Sequence, residues 1–241
     1  MRALSADDIV QVWEWGQDKH PVDRALALLA LACPELTAEQ LQSLTIGGRN
    51  SRLLALRERT LGSTLTGFAE CAQCGTSLEF SVEVGAIRQP EPAAQAYSLQ
   101  VDGLTMRFRP LDSLDLAAIV DLTGIGAARL QLIERCLLEA TQEGQSLAAA
   151  ELPESALAAL VDALTEADPQ AETRFQLTCA ACGHRWSALF DVVSFLWTEL
   201  DARAESLLAQ VHALARTYGW SETDILAMGE VRRHFYLELV N

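Results

Sequence analysis

The spacing of apolar residues changes along the chain from a helical period to a strand period. In the first 62 residues apolar positions recur every three or four residues, which predicts amphipathic helices. Start signals precede these runs, either a capping side chain with a polar partner three residues on or a proline in the first turn. They are Ser5 with Asp8, Pro21, and Thr37 with Gln40. Residues 1–62 are therefore predicted to form an N-terminal helical region.

A glycine pair interrupts the helical pattern before the last helix of this region. We expect Gly47–Gly48 to break the chain, Arg49–Asn50 to continue the turn, and Ser51 to begin a helix that runs to about Thr60. Four arginines alternate with leucines between Arg49 and Arg59. This basic stretch is predicted to form the solvated face of that helix.

Two distant segments with a strand period share one layout. Alternating apolar residues flank Cys71-Ala-Gln-Cys74-Gly in the first segment and Cys179-Ala-Ala-Cys182-Gly-His in the second. Two residues between the cysteines let a tight turn direct both sulfurs at one ion, and the glycine relieves the turn backbone. We predict that Cys71, Cys74, Cys179 and Cys182 bind one tetrahedral Zn²⁺. Because four thiolates leave no open position, the predicted role is structural.

The alternatives are two unlinked reduced pairs or two redox pairs. Redox pairs usually open a helix, whereas these pairs lie between strands. His184 could replace one cysteine as a ligand, although the set is already complete. Cys33 and Cys136 lie within apolar helix faces and are expected to be core residues.

The chain between the two cysteine pairs is predicted to be an insertion of 104 intervening residues. A loop at residues 88–96 is followed by a hairpin with the turn Asp102–Gly103, and then by helices at about 115–122, 127–141 and 153–167. The predicted fold is α+β and mostly helical, with a split four-cysteine zinc ribbon and an inserted hairpin plus helices. The ribbon comprises residues 63–87 and 172–191, and the inserted β-hairpin and helical region comprises residues 88–171.

Residues 192–241 are predicted to form a C-terminal helical pair. One helix runs to about Tyr218 and a final one covers 223–240, with Ser221 and Asp224 at its start and Trp220 packed on Ile225. Aromatic residues are concentrated here, and aromatic and arginine side chains are enriched at binding hot spots. They can form the core of the pair or a partner surface. The candidate partner-binding residues are Trp220, Arg232, Arg233 and Tyr236.

Composition narrows the function classes. With 18 basic and 33 acidic residues the formal charge is -15, which disfavours nucleic-acid binding. No apolar run approaches the length of a membrane span, no secretory signal opens the chain, and we expect synthesis in the cytoplasm. The four histidines show no metal or triad spacing and no phosphate-binding loop occurs, so the protein is predicted not to be an enzyme.

Two segments resemble a known family. The first runs from Tyr218-Gly219-Trp220-Ser221 through Asp224-Ile225 to Arg232-Arg233 and Tyr236-Leu237. The second is the run Leu44-Thr45-Ile46-Gly47-Gly48-Arg49-Asn50-Ser51-Arg52-Leu53-Leu54. Both are similar to small baseplate proteins of T4-type contractile phage tails and related contractile injection systems, including members with a zinc knuckle.

The resemblance implies a non-enzymatic structural or assembly component of a baseplate, with hub, spike or wedge proteins as partners. Such a protein is made in the cytoplasm and can be incorporated in a tail or injection-system particle. The alternative is a free zinc-ribbon adaptor or regulatory protein that binds other proteins.

Overall fold

The computed structural model describes residues 1–90 and 95–240. Its N-terminal part contains α1 (Ala6–Gly16), α2 (Pro21–Ala32), α3 (Ala38–Gln42) and α4 (Ile46–Leu61). The predicted start signals are confirmed, because the side chains of Ser5 and Thr37 each accept a hydrogen bond from the backbone amide of the third helical residue. The backbone amides of Ser5 and Thr37 in turn donate to the side chain of that residue. Pro21 occupies the first position of α2.

The start of α4 differs from the prediction. Thr45 caps the helix and Gly47–Gly48 lies inside its first turn, so the predicted break and the predicted start at Ser51 are both wrong. A Cβ atom on Gly47 would lie 1.8 Å from Oδ1 of Asp168, and the Gly47 amide donates to Oδ2 of Asp168 at 2.8 Å. Glycine is needed here for the close approach of another segment, not for a break.

The basic stretch is not a uniformly solvated face, because Arg49 and Arg57 are buried. The Arg57 guanidinium donates to both carboxylate oxygens of Glu199, at 3.0 and 2.6 Å, and to the carbonyls of Gly62 and Thr64. It thereby ties the end of α4 to the C-terminal part of the chain. Of the remaining two arginines, Arg59 is exposed and Arg52 is half-buried.

The first cysteine segment is an antiparallel hairpin of β1 (Thr64–Glu70) and β2 (Ser77–Glu83), as predicted. A single helical turn, α5 (Val84–Ile87), follows it. The predicted loop at 88–96 includes residues 91–94, which lie outside the described residues.

The inserted region carries a sheet of four strands in the order β3–β4–β5–β6. Its elements are β3 (Tyr97–Val101), β4 (Leu104–Phe108), α6 (Ser113–Ala117), α7 (Ile125–Cys136), β5 (Leu137–Gln142), β6 (Gln145–Ser146) and α8 (Glu154–Ala167). The β3–β4 hairpin with its Asp102–Gly103 turn is confirmed, and so is α8. The helix predicted at 115–122 is shorter, since α6 ends at Ala117.

The helix predicted over 127–141 is wrong beyond Cys136. Residues 137–142 leave the helix and pair with β4, which places Ala140 opposite Met106 in the core of the sheet. The turn Glu143–Gly144 then has positive φ at both residues and leads back along β6. Cross-strand burial therefore outweighs the local helical preference of this segment.

The second cysteine segment is a hairpin of β7 (Thr173–Thr178) and β8 (Arg185–Phe190), again as predicted. After it come α9 (Val192–Tyr218), α10 (Glu222–Leu226) and α11 (Glu230–Glu238). The predicted final helix is thus two short helices, interrupted at residues 227–229.

Within the described residues, buried apolar side chains form two clusters. The larger one joins α1, α2 and α4 to α9, and the smaller one lies between the inserted sheet and α8. Between them, Asn50 donates to the backbone carbonyl of Gln170 and Asp168 accepts from Gly47, a polar junction rather than an apolar one. The α+β class is confirmed. No helix in the described ranges has both the length and the apolarity needed to cross a membrane.

Candidate metal centre

The two cysteine turns have the same backbone hydrogen bonds. In the first, the Cys71 amide donates to the carbonyl of Thr76 at 3.0 Å, and the Gly75 amide donates to the carbonyl of Cys71 at 2.8 Å. In the second, the Cys179 amide donates to His184 and the Gly183 amide to Cys179, at 2.8 and 2.9 Å. Both glycines have positive φ, of 71° and 74°, which explains why glycine follows each pair.

These turns bring all four sulfur atoms together, although the pairs are distant in sequence. The four Sγ atoms lie within 4.8 Å of one another. Across the two turns, Cys71 lies 3.7 Å from Cys182 and Cys74 lies 3.6 Å from Cys179. A tetrahedron of sulfurs at zinc bonding distance has edges of about 3.8 Å. The cluster therefore fits a single metal ion.

The cluster is half-buried. Cys71 and Cys179, which begin the turns, are buried, whereas Cys74 and Cys182 are exposed. All six cysteines of the chain are free thiols. The donor set is all sulfur, and four sulfurs at tetrahedral spacing favour Zn²⁺ or another thiolate-binding metal over Ca²⁺ and Mg²⁺, which prefer oxygen.

The thiols differ in acidity. Hydrogen bonds from the hydroxyl and then the backbone of Thr76 lower the pKa of Cys74 to about 6. A hydrogen bond from the His184 amide favours the Cys182 thiolate, but desolvation and the neighbouring thiols together outweigh it and raise the pKa of Cys182 to about 12. One proton thus leaves easily and another is retained, so a divalent cation that binds all four sulfurs must displace protons.

An aromatic row supports the two hairpins beneath the sulfurs. Phe80 of β2 packs on Phe175 of β7, with ring centroids 5.2 Å apart, and Phe175 packs on Phe190 at 5.0 Å. Phe190 continues the row to Phe195 of α9 at 5.1 Å. The hairpins are therefore joined by apolar packing at one end and by the sulfurs at the other.

The remaining candidates for metal binding or reactivity lie elsewhere. Cys33 and Cys136 are buried in apolar surroundings, which raises the pKa of both thiols, that of Cys136 to about 11. The ring of His184 stacks on Trp186, with centroids 5.7 Å apart, and it does not belong to the sulfur cluster.

Three of the four candidate partner-binding residues share one surface. Trp220 stacks on Tyr218 with ring centroids 4.4 Å apart, Tyr236 meets Trp220 edge-on at 4.9 Å, and the Arg232 guanidinium lies 5.8 Å from the Tyr236 ring. Arg233 does not belong to this surface and its assignment needs correction. It is only 2% exposed, and it donates to Gln210 and to the carbonyl of Met228.

Sequence reasoning missed two contributors to the cysteine cluster. Thr76 lies beside Cys74, with Oγ1 3.2 Å from the sulfur, and its position directly after Cys-Gly was the available signal. The Phe80–Phe175 contact had no clear signal in the cysteine motif, because Phe80 lies six residues after Cys74 whereas Phe175 lies four residues before Cys179.

Comparisons with known proteins gave one family match. A family model described as "T4 bacteriophage base plate protein" matches residues 11–197. The match includes both cysteine hairpins and the inserted region. No curated protein matches the chain, and no solved structure matches it.

Proposed function

Because the chain belongs to the T4 bacteriophage base plate protein family, we propose that it is a structural or assembly component of a contractile-tail baseplate. The particle is a phage tail or a related contractile injection system, and the partners are hub, spike or wedge proteins. The family match over residues 11–197 is the observation that carries the proposal. Structural baseplate proteins act by binding other proteins, so we assign this chain no catalytic role.

We also propose that Cys71, Cys74, Cys179 and Cys182 bind a structural Zn²⁺. The spacing of their sulfurs and the all-sulfur donor set support this assignment. A bound Zn²⁺ would offset part of the negative charge of the four thiolates and would hold the two hairpins together. The chain's own part is to hold the sulfurs in place through two matched turns and the row of phenylalanines.

The aromatic surface of Trp220, Arg232 and Tyr236 is proposed as a partner contact. It is continuous with apolar residues on the outer side of α11, at Val231 and Phe235, which are 86% and 57% exposed. Large exposed apolar side chains at helical spacing are typical of protein–protein contacts. Arg233 is left out of this surface because it is buried.

The division of the chain into regions 1–62, 63–87 with 172–191, 88–171 and 192–241 remains a proposal. The smaller apolar cluster supports the inserted region as a separate packing unit. The larger cluster joins the first and last regions, so these two are proposed to fold together.

Purification of the particle tests the proposed function. Mass spectrometry of purified particles is expected to detect the protein, and deletion of its gene is expected to remove complete baseplates. If the protein is absent from particles and deletion still prevents their formation, it acts as an assembly factor, which is the second form of the same proposal. Normal particles after deletion would contradict both forms and favour a free zinc-ribbon adaptor.

A further inference from the structure

A cavity distinct from the metal centre lies between the N-terminal helices and the start of α9. Its volume is about 440 Å³, and we name it the Arg49 cavity after the charged residue in its wall. Leu116, Ile119 and Val120 border it on the side of the inserted region. None of the proposed zinc ligands and none of the residues of the aromatic surface line it.

Arg49 is a buried cation without a close counter-ion. Its side chain is 4% exposed, and it donates to Oδ1 of Asn50 at 3.2 and 3.4 Å and to the Ser113 hydroxyl at 3.3 Å. These acceptors are neutral and the bonds are long. No carboxylate in the described part of the chain lies within ion-pair distance of this guanidinium. A buried charge of this kind is costly unless something pairs with it.

Three helices begin at the wall of the same cavity. His20 and Pro21 start α2, Ile46 starts α4, and Asp191 caps α9, and all four residues line the cavity. The helices have 12, 16 and 27 residues, so each contributes a positive end to its macrodipole. The Asp191 carboxylate offsets the end of α9, whereas the charge of Arg49 and the ends of α2 and α4 favour an anion inside the cavity.

The other ionisable groups at the cavity are already engaged. Asp191 accepts hydrogen bonds from the amides of Val193 and Ser194 and from the Ser194 hydroxyl, so it acts as the cap of α9. Burial lowers the pKa of Arg49, and the charge of Asp191 raises that pKa through space by a smaller amount. His20 accepts a hydrogen bond from the Val22 amide through Nδ1 and so caps α2. These caps occupy helix amides, so an incoming anion meets the field and the guanidinium rather than free amides.

The walls of the cavity indicate what carries the anion. They are mostly apolar, and the rim residues Val120 and Leu189 are 47% and 61% exposed. One planar guanidinium matches the two oxygens of a carboxylate, whereas a phosphate would need more donors than these walls provide. We propose that the Arg49 cavity binds the carboxylate of an Asp or Glu side chain, flanked by apolar residues, on a protein partner. The identity of the partner as a baseplate protein rests on the proposed function.

Site-specific photo-cross-linking tests the contact in the assembly. Val120 at the rim is replaced by benzoylphenylalanine, cells that are producing particles are irradiated, and the cross-linked peptide is sequenced by mass spectrometry. The matched control is the same replacement at Val161, which is also exposed but lies outside the cavity. We expect Val120 to capture one partner segment with an acidic residue between apolar ones, and Val161 not to capture that segment.

Substitution of Arg49 tests the charge pairing. Arg49→Met is expected to fold with a thermal midpoint close to that of the wild type, because the removed charge has no close counter-ion. Its association with the cross-linked partner should fall about tenfold or more. Arg59→Met, at an exposed position of the same helix, is the control and should bind like the wild type. Replacement of the partner's acidic residue by its amide should reduce binding as strongly as Arg49→Met, without a further loss when both are combined.

Four results would overturn the inference. They are a cross-linked segment without an acidic residue, no specific cross-link at Val120 in a protein that is assembled into particles, wild-type binding by Arg49→Met, and failure of Arg49→Met to fold. A small carboxylic acid retained by the purified protein in native mass spectrometry would replace the protein partner and equally overturn it. Absence of the protein from particles and from their assembly would instead contradict the proposed function.

Discussion

Individual residues in this chain take their roles from the backbone around them. Cys74 and Cys136 carry the same thiol, yet Thr76 lowers the pKa of the first to about 6 and burial raises that of the second to about 11. The first lies in a turn whose hydrogen bonds recur in the second cysteine hairpin, and the second ends a helix beneath a sheet. Position in a turn, rather than residue type, separates the ligand candidates from the core cysteines.

Removal of one proposed ligand is expected to uncouple the two hairpins. Cys74→Ser or Cys179→Ser leaves three sulfurs, so the metal's binding free energy no longer supports the fold of this part. Metal content and thermal melting of the purified variants measure the effect. Cys33→Ala, at a buried cysteine outside the cluster, should keep its metal. Melting of either serine variant at the wild-type temperature would contradict the prediction.

A methyl group at Gly47 is expected to disturb the polar junction between the two apolar clusters. The new Cβ would lie 1.8 Å from Asp168 Oδ1 and 2.9 Å from the backbone nitrogen of Ala171, so a buried carboxyl must move. We expect Gly47→Ala to lower the free energy of unfolding by about 2 to 3 kcal/mol. Denaturant titration measures this, with Gly85→Ala as the control, because nothing lies within 4 Å of a Cβ there. Equal midpoints for the two variants would refute the close-approach argument.

Trp220 is expected to contribute stability as well as surface. It is half-buried against the larger cluster and packs on Tyr218 and Tyr236. Trp220→Ala should therefore lower the free energy of unfolding by about 1 to 3 kcal/mol. Phe235→Ala, on the exposed side of α11, should change it much less. An unchanged denaturant midpoint for Trp220→Ala would refute this prediction.

At the level of elements, patterns that are complete within a short segment were predictable. The two cysteine hairpins, the Asp102–Gly103 hairpin and the capped starts of α1 and α3 each carry their turn or cap in a few consecutive residues. The meeting of all four sulfurs was predictable as well, because each pair alone supplies only half of a tetrahedral set.

Elements that depend on distant contacts were not predictable from local patterns. β5 forms because its residues pair with β4, and no local signal distinguishes β5 from a continuation of α7. Gly47 resembles a helix break in sequence because its partner, Asp168, lies 121 residues away. Arg57 resembles a solvated residue for the same reason, since its partner Glu199 is on another helix.

The turn between β5 and β6 offers a gain in stability. Glu143 has a φ of 49°, which is costly for a glutamate, and Gly144 follows with a φ of 81°. Asparagine tolerates this conformation better, and Asn-Gly is favoured in two-residue hairpin turns. We expect Glu143→Asn to raise the free energy of unfolding by about 0.5 to 1 kcal/mol. Gly144→Ala should lower it, and the same direction for both variants would contradict the turn assignment.

At the scale of the whole molecule, removal of the metal is expected to loosen one part of the chain more than another. A chelator should reduce hydrogen-exchange protection first in residues 63–87 and 172–191, where the proposed ligands lie. The inserted sheet, which packs in its own apolar cluster, should keep its protection longer. Re-addition of Zn²⁺ should restore the pattern. Simultaneous loss across the chain would show that the metal supports the whole molecule as a single cooperative unit.

Acidification should also release the metal. Thiolates are the proposed ligands, so protons compete with the ion, and metal-dependent stability is present at neutral pH and falls as the pH is lowered. Metal retention measured across a pH series, with the melting temperature followed in parallel, checks the sign. Retention that increases toward acid would exclude thiolate ligation.

The larger apolar cluster is built from both ends of the chain, with α1, α2 and α4 closing on α9. During synthesis the early helices leave the ribosome long before α9 exists, and they then have no completed surface to cover them. The inserted sheet and α8 are finished in that interval and can form their own packing without α9. We therefore expect the inserted region to fold first during synthesis. The N-terminal helices are expected to complete their packing only after α9 has been translated.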